Sequence, residues 1–117
     1  ESFLATLTYG SAAEALGALG LGTENIVSTI YIPFVEALKR TNLQPRDTVF
    51  FPLHTAVDDH HQEALEEISL DFAATPAGKG DLRRGMIKAL SLRSSFWDWM
   101  YDRALTCGER PEMAMAS

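Results

Sequence analysis

The sequence predicts an all-α protein built from about three long helices. Three observations carry that reading. Apolar residues recur at three- and four-residue spacing over long stretches. No alternating runs joined by hairpin dipeptides are present. Short segments bearing proline and glycine separate the periodic stretches. The chain has 117 residues, enough for one small domain. Hydrophobic residues at 46% and charged residues at 22% are ordinary globular usage, so disorder and fibrous repeats are not expected.

The first predicted helix spans about 11 to 40. Ser11 is a suitable N-cap, and Glu14 three residues later completes a capping box. Gly17, Gly20 and Gly22 then predict either a break near Leu21 or packing so close that only glycine fits. Thr23 is placed to cap a restart at Glu24, and Pro33 to kink the helix or end it. Phe34, Val35 and Leu38 keep helical spacing up to Lys39 and Arg40, cations suited to a helix C-terminus. Residues 41–47 read as a loop. Pro52 fits the first turn of a second helix that continues to about Ala74. Its apolar side includes Leu65, Ile68 and Phe72, with Glu63, Glu66 and Glu67 facing water. Residues 75–80 read as a turn, and Asp81 as the cap of a third helix ending near Thr106, with Gly108 as its stop. Met86, Ile87, Leu90, Phe96, Trp97, Met100 and Leu105 predict a broad buried side on that helix.

Several function classes are disfavoured at once. A net charge of −6 supplies no basic stripe for a nucleic acid. No apolar run approaches the ~20 residues of a membrane span, and no segment reads as a signal peptide. Cys107 is the single cysteine, which forbids an internal disulfide and fits a reducing cytoplasm.

The chemistry concentrates in the second helix, which carries His54, Asp58, Asp59, His60 and His61. At about 100° per residue, Asp58 lies about 40° round from His54 and His61 about 20° round the other way. His54, Asp58 and His61 therefore share one face, while Asp59 and His60 lie off it. Two imidazoles and a carboxylate form a donor set suited to iron, manganese or zinc. The plainer alternative is a solvated helix face with a stabilising His–Asp pair. Glu24 is a second candidate, in a stretch followed by Ile26, Val27, Ile30 and Tyr31. It serves either the helix dipole or, as a carboxylate from a neighbouring helix, a metal.

The segments GLGTENIVSTIYIPF, FFPLHTAVDDHHQEAL and IKALSLRSSFWDWMYD resemble the C-terminal half of the heme-oxygenase-like diiron oxidases, relatives of thiaminase II and pyrroloquinoline quinone synthase. The most specific part is a Glu followed, about thirty residues on, by H-x3-D-x2-H. It falls here on Glu24, His54, Asp58 and His61. The resemblance implies a heme-oxygenase-like helical bundle and a centre of two non-heme irons, with manganese an alternative at one site. It implies O2 and a small molecule, such as an amino acid or fatty acid, as substrates. Tyr31 is placed to support the ligands, or else to pack in the core. Arg93 is placed to receive a substrate carboxylate, with an ion pair to Asp47, Asp98 or Glu36 the simpler reading. Trp97 and Trp99 read as packing residues.

The resemblance also implies further ligands from an early helix that these residues do not contain. The chain opens on Glu1 and enters directly on Phe3, Leu4 and Leu7. A functional polypeptide about twice this length is expected on that ground, ahead of a homodimer that pools two copies of the stripe. Two other classes stay open: a metal-independent thiaminase-like hydrolase using His and Glu as acid and base, and a non-enzymatic module that carries metal or oxygen.

Overall fold

The computed structural model describes residues 2–108, with the side chains of residues 57–60, 107 and 108 outside that description. No strand occurs among the described residues, which bears out the all-α expectation. The elements are α1 (Phe3–Tyr9), α2 (Ala12–Leu16), a π-helical segment (Gly17–Glu24), α3 (Asn25–Ile30), α4 (Ile32–Leu38), a 3-10 turn (Pro45–Asp47), α5 (Phe50–Ala73) and α6 (Pro76–Gly108).

The first long helix is thus four consecutive pieces preceded by a short one. Ser2 caps α1 by accepting the Ala5 N–H at 3.1 Å. Ser11 caps α2 by accepting the Glu14 N–H, also at 3.1 Å. The capping box goes no further, because the Glu14 carboxylate is engaged by Lys88 Nζ of α6 at 2.7 Å. Of the two outcomes allowed at the glycines, close packing is the one found. The chain stays helical through Leu21, widened to a π pattern in which each N–H reaches back five residues instead of four. Thr23 caps no restart. Its hydroxyl donates to the Ala18 carbonyl, five residues back, at 2.9 Å. The break comes at Tyr31, two residues ahead of Pro33, whose ring nitrogen has no proton to donate.

The start of the third helix differs from the sequence expectation. α6 begins at Pro76, not at Asp81. Pro76 takes the first helical position, and Thr75 Oγ1 accepts the Gly78 N–H at 3.1 Å. Those start signals outweigh the poor helix propensity of Gly78 and Gly80. Asp81, inside the helix, pairs with Arg84 and accepts the Ser11 hydroxyl at 2.7 Å. The donated hydroxyl lowers its carboxyl pKa, against the opposing effect of burial and with help from the Arg84 charge.

Small residues make the central crossing. A Cβ on Gly17 would collide with the Leu82 carbonyl of α6, and one on Gly85 with the Glu14 carbonyl of α2. Ala13, Ala18, Val27, Leu82 and Ala89 form the buried apolar core around that crossing. Gly20 faces Leu65 of α5. Gly22, two residues and about half a turn on, faces Met86 and Ala89 of α6.

The predicted buried side of α6 is buried only in part. Leu82 and Ala89 are inside, Met86, Arg93 and Trp97 are half-buried, and Phe96 and Leu105 stay 54% and 52% exposed. Ile87, Leu90 and Met100 are exposed too, as is Ile68 of α5. The reason is length. A 33-residue helix is about 50 Å long, while α2 and the π segment together span 13 residues. The radius of gyration is 18.6 Å, against about 13 Å for a compact chain of this size.

Candidate metal centre

α5 is helical without interruption from Phe50 to Ala73, so the phase relation of the H-x3-D-x2-H stripe holds in the backbone. Eleven residues after His54, and about 20° from it around the axis, comes Leu65. Leu65 packs against Gly20 of the π segment. The stripe's face, followed along the helix, therefore meets the segment that ends in Glu24. Glu24 is half-buried and already has a partner within the fold. Its neighbour Asn25 donates Nδ2–H to Glu66 Oε1 of α5 at 2.9 Å, and Gln62 reaches the same oxygen at 3.2 Å. These bonds tie the Glu24 end of the π segment to α5.

His54 is half-buried and held on several sides. Its Nδ1 lies 2.7 Å from the Phe50 carbonyl oxygen. A carbonyl oxygen can only accept, so Nδ1 is the donor and, in the neutral ring, Nε2 keeps its lone pair. Metal-ligating imidazoles are commonly oriented by such a bond from the other ring nitrogen. The Phe50 ring lies against the imidazole with centroids 4.1 Å apart, and Tyr31 meets it edge-on at 6.3 Å. Tyr31 thus acts as a wall beside His54, and it also packs on Phe51 at 5.1 Å. The Phe50 carbonyl was not read from the sequence. The signal available was the i−4 position, which every helical histidine has, so it carried no distinction.

The other predicted residues are distributed as follows. His61 lies two helical turns beyond His54 and is exposed. Asp58 lies outside the described side chains, as do Asp59 and His60, whose predicted position off the stripe falls there too. Among the described residues, no three His, Cys, Asp or Glu side chains gather closely enough to hold a metal ion. Arg93 makes no pair with Glu36 or Asp47, which bond Lys39 at 2.6 Å and Arg46 at 3.7 Å. Instead Arg93 Nε is buried with no hydrogen-bond partner among the described residues. Trp97 packs on Phe34 at 5.8 Å. Trp99 is 57% exposed, stacks on Phe96 and lies under the Arg103 guanidinium.

Beside His54 opens an apolar cleft of about 480 Å³. Tyr31, Phe34, Phe50 and Phe51 form one wall, Trp97 and Arg93 of α6 the other, and Thr23, next to Glu24, contributes to its edge. The Phe34 and Phe51 rings are stacked at 5.2 Å, within 3° of parallel. The arrangement sets an oriented imidazole beside a ligand-sized apolar space, and Glu24 is the residue after Thr23 of its lining. Carboxylate and imidazole together are a donor set that suits iron.

No helix among the described residues is long and apolar enough to cross a membrane. No curated protein and no solved structure matches the chain. A profile of the family described as iron-containing redox enzymes matches residues 3–94, covering α1 through most of α6. The helical fold and that match agree, and the chain belongs to the heme-oxygenase-like family of iron-containing redox enzymes.

Proposed function

We infer that this chain contributes Glu24, His54, Asp58 and His61 to a non-heme iron centre of an O2-dependent oxidase or oxygenase. The observation that carries the reading is His54, whose Nδ1 donates to the Phe50 carbonyl and leaves Nε2 free to bind a cation. Its support is the family, together with the approach of the Glu24 segment to the face of α5 that bears the stripe. Two irons, or one iron and one manganese, suit a centre completed by carboxylates and imidazoles from helices beyond these 117 residues. Ferrous iron held by these residues would supply the electrons that activate O2 toward a small organic substrate.

The chain's own residues have separate tasks in this reading. The Phe50 carbonyl fixes the tautomer and tilt of His54. Tyr31 and Phe50 brace its ring and keep water from that side. Asn25 and Glu66 hold the end of the π segment against α5, so that Glu24 stays near the stripe. The adjoining apolar cleft receives the substrate.

Anaerobic loading with ferrous iron, followed by metal analysis, tests the assignment. His54→Ala and His61→Ala should each reduce bound iron sharply, and His60→Ala should leave it nearly unchanged. Equal losses from all three variants, or no retained iron in the unaltered protein, would overturn it. Full turnover of a substrate by metal-free protein would favour a hydrolase instead.

A further inference from the structure

One residue closes the π segment from both sides. Asn25 sends its backbone N–H five residues back to the Gly20 carbonyl, completing the last π turn. Its side chain donates Nδ2–H to Glu66 Oε1 of α5 at 2.9 Å. Gln62, one turn earlier on α5, reaches the same oxygen at 3.2 Å. Thr23 makes a parallel bond inside the segment, from its hydroxyl to the Ala18 carbonyl five residues back. Glu24 stands between these two residues. Glu66 itself lies about 120° round α5 from His54, off the stripe, so it is placed to hold the segment and not to join the donor set.

We propose that Glu66 is a positioning residue: by holding Asn25 it keeps the segment in the π register, and the register fixes the direction of the Glu24 carboxylate. π-helices are rare and mostly single turns, so a run of eight residues needs support from outside the helix. At its start Gly17 is seated on the Leu82 backbone of α6. At its end the polar tie is the one from Asn25 to Glu66. Without that tie, relaxation to the α pattern turns Glu24 by up to about 100° around the axis. Only the molecules that keep the π register then present Glu24 to a cation, and the apparent affinity falls by that fraction. The Asn25 amide is held by its donor end alone, since Oδ1 is buried with no hydrogen-bond partner among the described residues. A glutamine at position 66 keeps an acceptor for Nδ2–H and adds a donor for that orphaned oxygen, so the tie needs the acceptor and not the negative charge.

This inference rests on Glu24 serving the proposed iron centre, but the tie can be read without metal. Hydrogen exchange of the metal-free protein, followed by mass spectrometry, reports the opening of residues 18–27. Glu66→Ala should speed exchange there by about tenfold, as the loss of a charge-assisted bond implies. It should weaken the binding of ferrous iron, added anaerobically, by a similar factor. Glu66→Gln should stay near the parent in both measurements. Removing the exposed Leu19 from Glu66→Ala should restore both, because no surplus residue is left to hold and the flanking helices keep their phase. The contrast between alanine and glutamine needs no deletion, so a poorly folded deletion does not spoil the test. Unchanged exchange in Glu66→Ala, equal losses from alanine and glutamine, or no rescue by a folded deletion would overturn the proposal. So would faster exchange with iron affinity intact. Faster exchange and its rescue, in a protein whose parent form holds no iron, would count against the iron centre alone.

Discussion

Gly22→Ala is a change of one methyl group whose cost follows from its surroundings. A Cβ at position 22 would lie 2.8 Å from Ala89 Cβ and 3.0 Å from the Met86 carbonyl oxygen. Carbon atoms in contact normally sit at about 3.5–4.0 Å, so the π segment and α6 must part by about 1 Å. Neither neighbour can rotate away, since one is a methyl on the backbone and the other is backbone itself. Overpacking of this kind costs about 1–3 kcal/mol, and the rigidity of both neighbours places it near the upper end. Alanine recovers at most about 1 kcal/mol of helix propensity. The net expectation is a loss of about 2 kcal/mol. Gly80→Ala is the matched control. It adds the same methyl inside α6, where the nearest atom is a terminal nitrogen of Arg84 at 3.7 Å, and should stabilise by about 0.5–1 kcal/mol. Urea unfolding followed by far-ultraviolet circular dichroism measures both. Opposite shifts are required. A Gly22→Ala protein as stable as the parent would mean that the crossing is not as tight as described, and the argument for glycine there would fail.

Two further expectations concern the polar latches between α2 and α6. The Asp81 carboxyl is held below its ordinary value of 3.8, chiefly by the Ser11 hydroxyl. The stability it contributes is therefore complete above that value and lost as pH falls through the depressed one. Asp81→Asn should lower the melting temperature near neutral pH and flatten its fall in acid, and parallel melting curves for the two proteins would refute this. The Glu14 carboxylate, 14% exposed, faces Lys88 Nζ at 2.7 Å. Lys88→Met should cost about 1–2 kcal/mol by leaving that charge half-buried. Adding Glu14→Gln should recover part of the loss, and strict additivity in the double-mutant cycle would show that the pair is not coupled.

The limits of the sequence reading trace to particular residues. Caps with a local signal were legible. Ser11 lies three residues before Glu14, and it does cap α2. Asp81 has the same local character, but its hydroxyl partner is 70 residues away and the true start, Thr75–Pro76, was masked by two following glycines. Glycines 17, 20 and 22 left a break and close packing open as alternatives, and the π widening that keeps the segment helical depends on which carbonyl each N–H selects. Side-chain type does not encode that choice. The apolar periodicity of α6 marks Phe96 and Leu105 as residues suited to burial, but nothing described packs on them. At the candidate centre, helical arithmetic put His54, Asp58 and His61 on one face, and the continuation of that face to Leu65 and Gly20 is visible only in the fold. The Phe50 carbonyl and the unsatisfied Arg93 Nε are properties of folded geometry.

The π segment also determines which changes of length the chain tolerates. Between Gly17 and Glu24 each hydrogen-bonded turn takes in one residue more than an α-helix uses. If all eight residues relaxed to the α pattern, everything after them would swing by about 100°. Glu24, Val27 and Tyr31 would then leave their present neighbours. Excising one exposed residue there, such as Leu19, instead removes the surplus and keeps the flanking helices in phase. The same excision between Leu82 and Ala89 of α6 has no slack to absorb it and would turn every later contact off its face. Family members that differ by a single residue in this region are thus expected to differ inside the π segment, where the loss is geometrically silent.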